Sequence, residues 1–171
     1  EDNRHLIDEA AYQVIAEWEH YAVLTLFDCE KFEPSVESIQ ERLNIKKTRA
    51  EVVVDNLLKY GLLKIDQSGR LNKAHSSVKT SEDTFSQALR ESHRETLELG
   101  KQKIDEIAIE LRDFSSLMVA VDKEKIPAAK EAIREFRRKM LSLFEDGEKT
   151  EVFQLAIQFY PVSSLKPQES P

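Results

Sequence analysis

The chain has 171 residues, 40% of them hydrophobic and 33% charged, with a formal net charge of −7. That is long enough to bury one large core or two small ones, and too acidic to coat nucleic acid indiscriminately. The apolar stretches are short and periodic, so no segment is built to cross a bilayer as a helix, and the single cysteine, Cys29, has neither a disulfide mate nor a zinc-ligand cluster. Its simplest reading is a small buried apolar residue in a reducing, cytoplasmic protein. The first residue is Glu1 and no basic-then-apolar leader follows, which leads to the expectation of a longer protein with a further domain upstream.

From Ile7, apolar residues recur every three or four positions through Ala11, Val14, Trp18 and Ala22. This spacing predicts one long amphipathic helix to about Phe27, anchored by Trp18. Pro34 and Ser35 open a second helix, with Ser35 as N-cap and Val36, Ile39 and Leu43 on its buried face. After Asn44 to Lys47, a third helix carries Ala50, Val53, Val54, Leu57 and Leu58 as a core stripe and stops at Gly61. Residues 62–66 and 70–73 read as two short strands around the turn Gln67, Ser68, Gly69. Two short helices, a glycine and a hairpin follow the plan of a winged helix-turn-helix at about residues 34–79.

A long helix is expected from Thr80 to about Leu111, capped by Thr80 or Ser81, with Phe85, Leu89, His93, Leu97, Ile104 and Ile107 or Ala108 along one side and a bend at Gly100. The period then changes. Leu117, Val119 and Val121 alternate as in a strand, as do Phe153, Leu155, Ile157 and Phe159, while Ile126, Ala129, Ile133, Phe136, Met140 and Phe144 between them trace a helix ending near Gly147. This predicts a β-α-β unit. Two strands are too few to stand alone, so they pair elsewhere in the chain or across a dimer. Residues 165–171 form a frayed, proline-rich tail.

Three parts of the sequence, Phe32 to Lys73 with SIQERLNIKKTRAEVVVDNLLKYGLLKIDQSGRL, then LRDFSSLMVAVDKEKIPAAKEAIREFRRKMLSL, then EVFQLAIQFYPVSS, resemble the C-terminal domain of a bacterial family met mostly in predatory and fibre-degrading bacteria. The resemblance runs from about Trp18 to Ser164. Trp18, His20, His93, Arg112, Asp113, Phe114, Arg134, Phe136, Arg137, Gln154, Gln158 and Pro161 occupy its signature positions. It implies a transcriptional regulator with an additional helix-turn-helix upstream, and it brings no catalytic residue.

DNA binding requires cations that face phosphates and a helix whose outer surface reaches base edges. Residues 46–80 hold eight cations against three acids, a local charge of +5 against −12 for the rest. Within them, Lys46, Lys47, Thr48, Arg49, Lys64, Arg70 and Lys73 are the candidate nucleic-acid contacts. Glu51 and Asp55 fall on the same outer face as Thr48 and Val52, and Thr48 with Glu51 spells a capping box. A second reading therefore stays open, in which the winged helix is a protein-binding scaffold. Arg134, Arg137, Arg138 and Lys139 form another cationic cluster, read as a solvated helix face with Glu131 and Glu135 as neighbours.

Glu17 and His20 have the spacing of half a carboxylate-bridged metal site, but the second half is missing around His93. A hydrogen-bonded, buried histidine is the reading for His20, and no metal or cofactor is expected. No glycine-rich phosphate loop, nucleophile elbow or zinc-protease motif occurs. The sequence thus leads to an α+β fold, mainly helical, with a winged helix-turn-helix and a C-terminal β-α-β unit. Its parts are residues 1–79, 80–164 and 165–171. The expected function is that of a cytoplasmic, non-enzymatic, homodimeric regulator that contacts DNA and no membrane, the alternative being a module for a cytoplasmic protein partner.

Overall fold

The computed structural model describes residues 4–7, 14–75, 77–80 and 87–164. Its elements in chain order are β1 (Arg4–Ile7), α1 (Trp18–Leu26), α2 (Val36–Leu43), α3 (Lys47–Lys59), β2 (Leu63–Ile65), β3 (Leu71–Lys73), β4 (Ser77–Thr80), α4 (Gln87–Glu106) and α5 (Ile126–Leu143). Single turns of 3-10 helix lie at Ile109–Leu111 and Lys123–Lys125. β1 pairs in parallel with β4, Arg4 opposite Ser77 and Ile7 opposite Thr80. β2 pairs antiparallel with β3, Leu63 opposite Lys73 and Ile65 opposite Leu71.

The chain divides into two compact units. The first comprises Glu1–Leu117 and Gly147–Val152, the second Met118–Asp146 and Phe153–Pro171. The long helix α4 falls within the first of these units. The tail from 165 onward lies outside the described residues.

The core of the first unit is built from Ile15, Ala16, Val23, Leu24, Leu26, Ile39, Ala50, Val53, Val54, Leu57, Leu62 and Leu63, all buried. The stripe of α3 is the one its spacing predicts. Local signals place the ends of the two central helices. Ser35 Oγ accepts from the Ser38 N–H at 3.1 Å, capping α2. At the end of α3, Gly61 turns back at φ +70. The Leu62 N–H donates to Leu57 O and the Gly61 N–H to Leu58 O, satisfying carbonyls that the helix end leaves open. That reversal delivers Leu62 and Leu63 directly into the core.

The first helix differs from its prediction. Val14 and Ile15 are helical, but the chain turns at Ala16 and Glu17 before α1 starts at Trp18, and residues 4–7 are strand. The break rotates the buried stripe onto His20, Val23, Leu24 and Leu26, and Trp18, expected as the anchor, is only half-buried. Residues 4–7 are strand because a partner exists, and that partner, β4, lies some seventy residues on and cannot be sensed by local periodicity.

In α4 the outcome is similar. Thr80 closes β4 instead of capping a helix, Ser81 and Phe85 fall outside the described residues, and the helix runs through Gly100 without interruption. The half-buried side is Ser92, Glu95, Thr96, Leu99 and Lys103, so Leu97 and Ile104 of the predicted apolar stripe point to solvent.

In the second unit, α5 forms where its 3.6-residue period places it, with Pro127 in its first turn. The flanking segments 117–121 and 153–159, expected as strands, belong to no sheet among the described residues. A strand requires a partner for its backbone groups, and no strand among the described residues pairs with either segment.

Candidate nucleic-acid interface

α2 and α3 pack on each other across the left-handed residue Asn44, φ 52, and the β2–β3 hairpin follows α3 immediately. This is the layout of a helix-turn-helix with its wing. The buried face of α3 is fully committed to the core, so its other face is presented outward: Thr48, Glu51, Val52, Asp55 and Lys59 are all exposed, Val52 by 48%.

The structure separates the seven candidate contacts into two groups. Arg49 is not free to meet a phosphate. It is half-buried, and its guanidinium donates to Glu19 Oε1 at 3.0 Å and to Glu17 Oε2. Those hydrogen bonds, Glu19 foremost, push its pKa still further up and tie α3 to the start of α1. Lys73, on β3, donates to both Asp28 carboxylate oxygens at 2.6 and 2.8 Å. Lys47 donates to Glu37 Oε1 at 2.7 Å, but both side chains are more than half exposed. A pair so open to solvent holds weakly, and an arriving phosphate can replace the carboxylate.

Lys46, Lys64 and Arg70 are exposed and form no ion pair among the described residues. Lys46 sits at the N-cap of α3, Lys64 on β2 and Arg70 at the entrance to β3. Thr48 is exposed in the first turn of α3. The capping box expected of Thr48 and Glu51 does not form, because the helix starts at Lys47 with Lys46 as N-cap, which puts Thr48 inside the helix.

One residue that shapes this surface was missed by charge counting. Asp66 Oδ1 accepts from the Ser68 N–H at 2.8 Å, the Ser68 hydroxyl at 2.6 Å and the Arg70 N–H at 3.0 Å, while Oδ2 accepts from Asn72 Nδ2 at 2.8 Å. These donors, the Ser68 hydroxyl first, pull its carboxyl down to about 2. Asp66 thereby holds the wing turn whose far side is Arg70. The sequence signal was present, since an aspartate two residues before a serine and three before a glycine is a turn former.

Behind α3 lies a polar cluster. His20 is fully buried, its Nε2 3.2 Å from Asn56 Nδ2 and its Nδ1 3.8 Å from Glu17 Oε2. Burial is the main cause of its lowered pKa, so it is neutral at pH 7. Glu95 of α4 approaches the same group and accepts from the Trp18 N–H, with burial first and then Glu17 raising its carboxyl. The spacing of Glu17 and His20 thus sets a carboxylate beside a buried imidazole whose Nε2 is hydrogen-bonded to Asn56 and whose Nδ1 has no hydrogen-bond partner among the described residues. Among the described residues, no three histidine, cysteine, aspartate or glutamate side chains are placed to hold a metal ion, and no helix is long and apolar enough to cross a membrane. Cys29 is buried with a free thiol.

The family model described as Domain of unknown function (DUF4423) matches residues 1–162. The chain belongs to the DUF4423 family. No curated protein matches it. Among solved structures, a near-atomic-resolution crystal structure of a MarR family transcriptional regulator from Streptomyces coelicolor matches at 16% identity, covering 81% of this chain and 84% of that one. Its TM-score is 0.30, and no element or residue of this DUF4423 chain is assigned from it.

In the DUF4423 chain, the signature positions Arg112 and Phe114 stack, the guanidinium carbon 5.5 Å from the ring centre, while Arg112 Nε donates to Ile107 O at 2.8 Å. This fastens the segment after α4 to the helix end. Residues 147–152 return to the first unit through Lys31 with Glu148 at 3.0 Å, Arg42 with Glu151 at 3.4 Å, and Val152 against the core.

Proposed function

We propose that this DUF4423 chain is a transcriptional regulator that binds DNA through its winged helix-turn-helix and assembles as a homodimer through its C-terminal half. The observation that carries this reading is the placement of Lys46, Lys64 and Arg70. They are exposed on the outward helix and the wing, while Lys47, Arg49 and Lys73 of the same basic segment are paired with Glu37, with Glu17 and Glu19, and with Asp28. Phosphate contacts fall to Lys46, Lys64 and Arg70, with Lys47 released from Glu37 on binding. Thr48 and Val52 occupy positions from which a base edge or a thymine methyl is reached. The reading gives the chain no reaction to catalyse and no cofactor, and places it in the cytoplasm with its DNA.

The test is fluorescence anisotropy on duplex fragments over a salt series. Lys46→Ala, Lys64→Ala and Arg70→Ala are each expected to lower the slope of log K against log salt by about one, whereas Arg49→Ala leaves the slope unchanged. Equal slopes for all four variants overturn the assignment. One observation favours a second reading, a protein-binding scaffold: Glu51 and Asp55 are exposed on the outward face of α3, where they repel phosphate. That reading predicts that Glu51→Gln with Asp55→Asn leaves DNA affinity unchanged, whereas a DNA-facing α3 gains affinity from the same change.

A further inference from the structure

The second unit has an apolar composition and no interior. Across residues 118–146 and 153–164 not one side chain is buried. Met118 is 83% exposed, Phe153 72% and Tyr160 70%, and Phe136, Leu141 and Phe144 of α5 or its end are exposed too. A segment that leaves its apolar groups in water gains nothing to offset the entropy of ordering. The two segments that flank α5, 118–121 and 153–160, contain no charge; 118–121 is apolar throughout, and Phe153, Leu155, Ile157 and Phe159 recur in the period of a strand. Neither belongs to a sheet among the described residues.

We infer that this surface is the contact between two copies of the chain, with residues 153–160 pairing antiparallel to the same residues of the second copy and 118–121 lying outside them. The inference rests on the homodimer proposed above and gives it a location. Three features select a second copy as the occupant. The first is area. Phenylalanine and tyrosine side chains cover about 150–250 Å² each when buried, so the exposed apolar groups of the unit offer on the order of 1,000 Å² per copy, which reaches the roughly 800 Å² per partner of a stable complex. The second is charge. The chain as a whole is at −7, but this unit carries seven cations and six acids between Asp122 and Asp146 and none from 153 to 164, so two copies meet here without the repulsion felt elsewhere. Its arginines are also partly answered from within, Arg134 and Arg138 both donating to Glu131 at 2.7 and 3.1 Å, so the helix carries both signs side by side. The third is symmetry. An antiparallel pairing of identical segments about a two-fold axis is self-complementary and closed.

In that arrangement Phe153, Leu155, Ile157 and Phe159 share one face of the central ladder. The half-buried side of α5, Ile126, Ala129, Ile133 and Met140, supplies the layer that covers it. Each copy thus receives from the other a strand neighbour that no described strand of its own chain supplies.

The experiment has two arms on the 171-residue chain. Sedimentation equilibrium is expected to give roughly twice the 19.7 kDa chain mass for the wild type, and the chain mass for Ile157→Lys. Leu97→Lys, on the exposed side of α4, remains a dimer. In the second arm, single cysteines are placed in turn at positions 154 to 160 and oxidised; Cys29 is buried and stays silent. Cross-linked dimer is expected to peak at one or two positions near the middle of the segment, and this arm decides if Ile157→Lys fails to fold. A monomeric wild type, a dimer lost with Leu97→Lys and kept with Ile157→Lys, absence of cross-linking at all seven positions, or a monomer that sediments with phosphatidylcholine vesicles each overturns the inference. None of these readouts uses DNA, so the DNA-binding proposal stands or falls separately in the salt series.

Discussion

Arg49 shows how far a residue's role depends on neighbours remote in sequence. As a cation in a basic window it counts toward phosphate binding, yet its guanidinium holds Glu17 and Glu19 across α1 and α3. Removing it leaves Glu19, which is 13% exposed, without its partner beside Glu17 and Glu95. Arg49→Ala is expected to cost about 1–3 kcal/mol in urea unfolding, and Arg49→Lys most of the same, since one ammonium cannot reach both carboxylates in the arginine's geometry. His20 adds a pH dependence. Its folded-state pKa is depressed by burial below the ordinary 6.5, so the unfolded chain binds the proton first. Stability contributed by neutral His20 is present above pH 6.5 and is lost as pH falls from there toward the folded pKa. The urea midpoint of the wild type is expected to drop between pH 7.5 and 5.5, and that drop to shrink in His20→Gln. Glu95 acts with the opposite sign. Its raised carboxyl costs stability as pH rises through and above 4.5, so Glu95→Gln is expected to raise the midpoint at pH 7.5.

At the scale of elements, local chemistry sets the winged module and long-range pairing sets its surroundings. The two helices and the wing begin and end where capping and turn residues place them: Ser35, Asn44, Gly61 and the Asp66 turn. Gly61 needs its positive φ, and a Cβ there meets nothing within 4 Å, so the penalty of substitution is backbone strain alone. Gly61→Ala is expected to destabilise by about 1 kcal/mol, and Ser35→Ala by about 1 kcal/mol through loss of the cap, both read from chemical denaturation. By contrast, β1 and β4 exist through each other, and α4 turns a polar side inward because Glu95 meets the N-terminus of α1. Neither relation leaves a trace in a window of ten or fifteen residues.

For the molecule as a whole, the first unit has a core made almost entirely from residues 15 to 63, and the second has no buried side chain among its described residues. If two copies complete the second unit, unfolding is coupled to association. The melting temperature is then expected to rise with protein concentration over a hundredfold range, and Ile157→Lys to abolish that rise. A melting temperature independent of concentration contradicts the coupling. DNA binding by the wing does not require it, because Lys64 and Arg70 are positioned by Asp66 within one hairpin.

What was legible in the sequence was whatever a short stretch decides on its own. The stripe of α3, the N-cap of α2, the glycine stop of α3, the wing hairpin and the course of α5 were readable, because near-neighbour hydrogen bonds and a 3.6-residue period specify them, whereas the capping box read at the start of α3 does not form. The basic segment was readable as charge, but not as a surface. Lys46, Lys64 and Arg70 stay exposed while Arg49 and Lys73 are taken up by Glu17, Glu19 and Asp28, side chains that lie 30 to 45 positions away. The break before Trp18, the β1–β4 pairing, the inward side of α4 and the open state of 118–121 and 153–160 were decided by the tertiary structure. Each turns on whether a distant partner is present to satisfy a backbone or bury a side chain, and a local pattern records the need for such a partner without naming it.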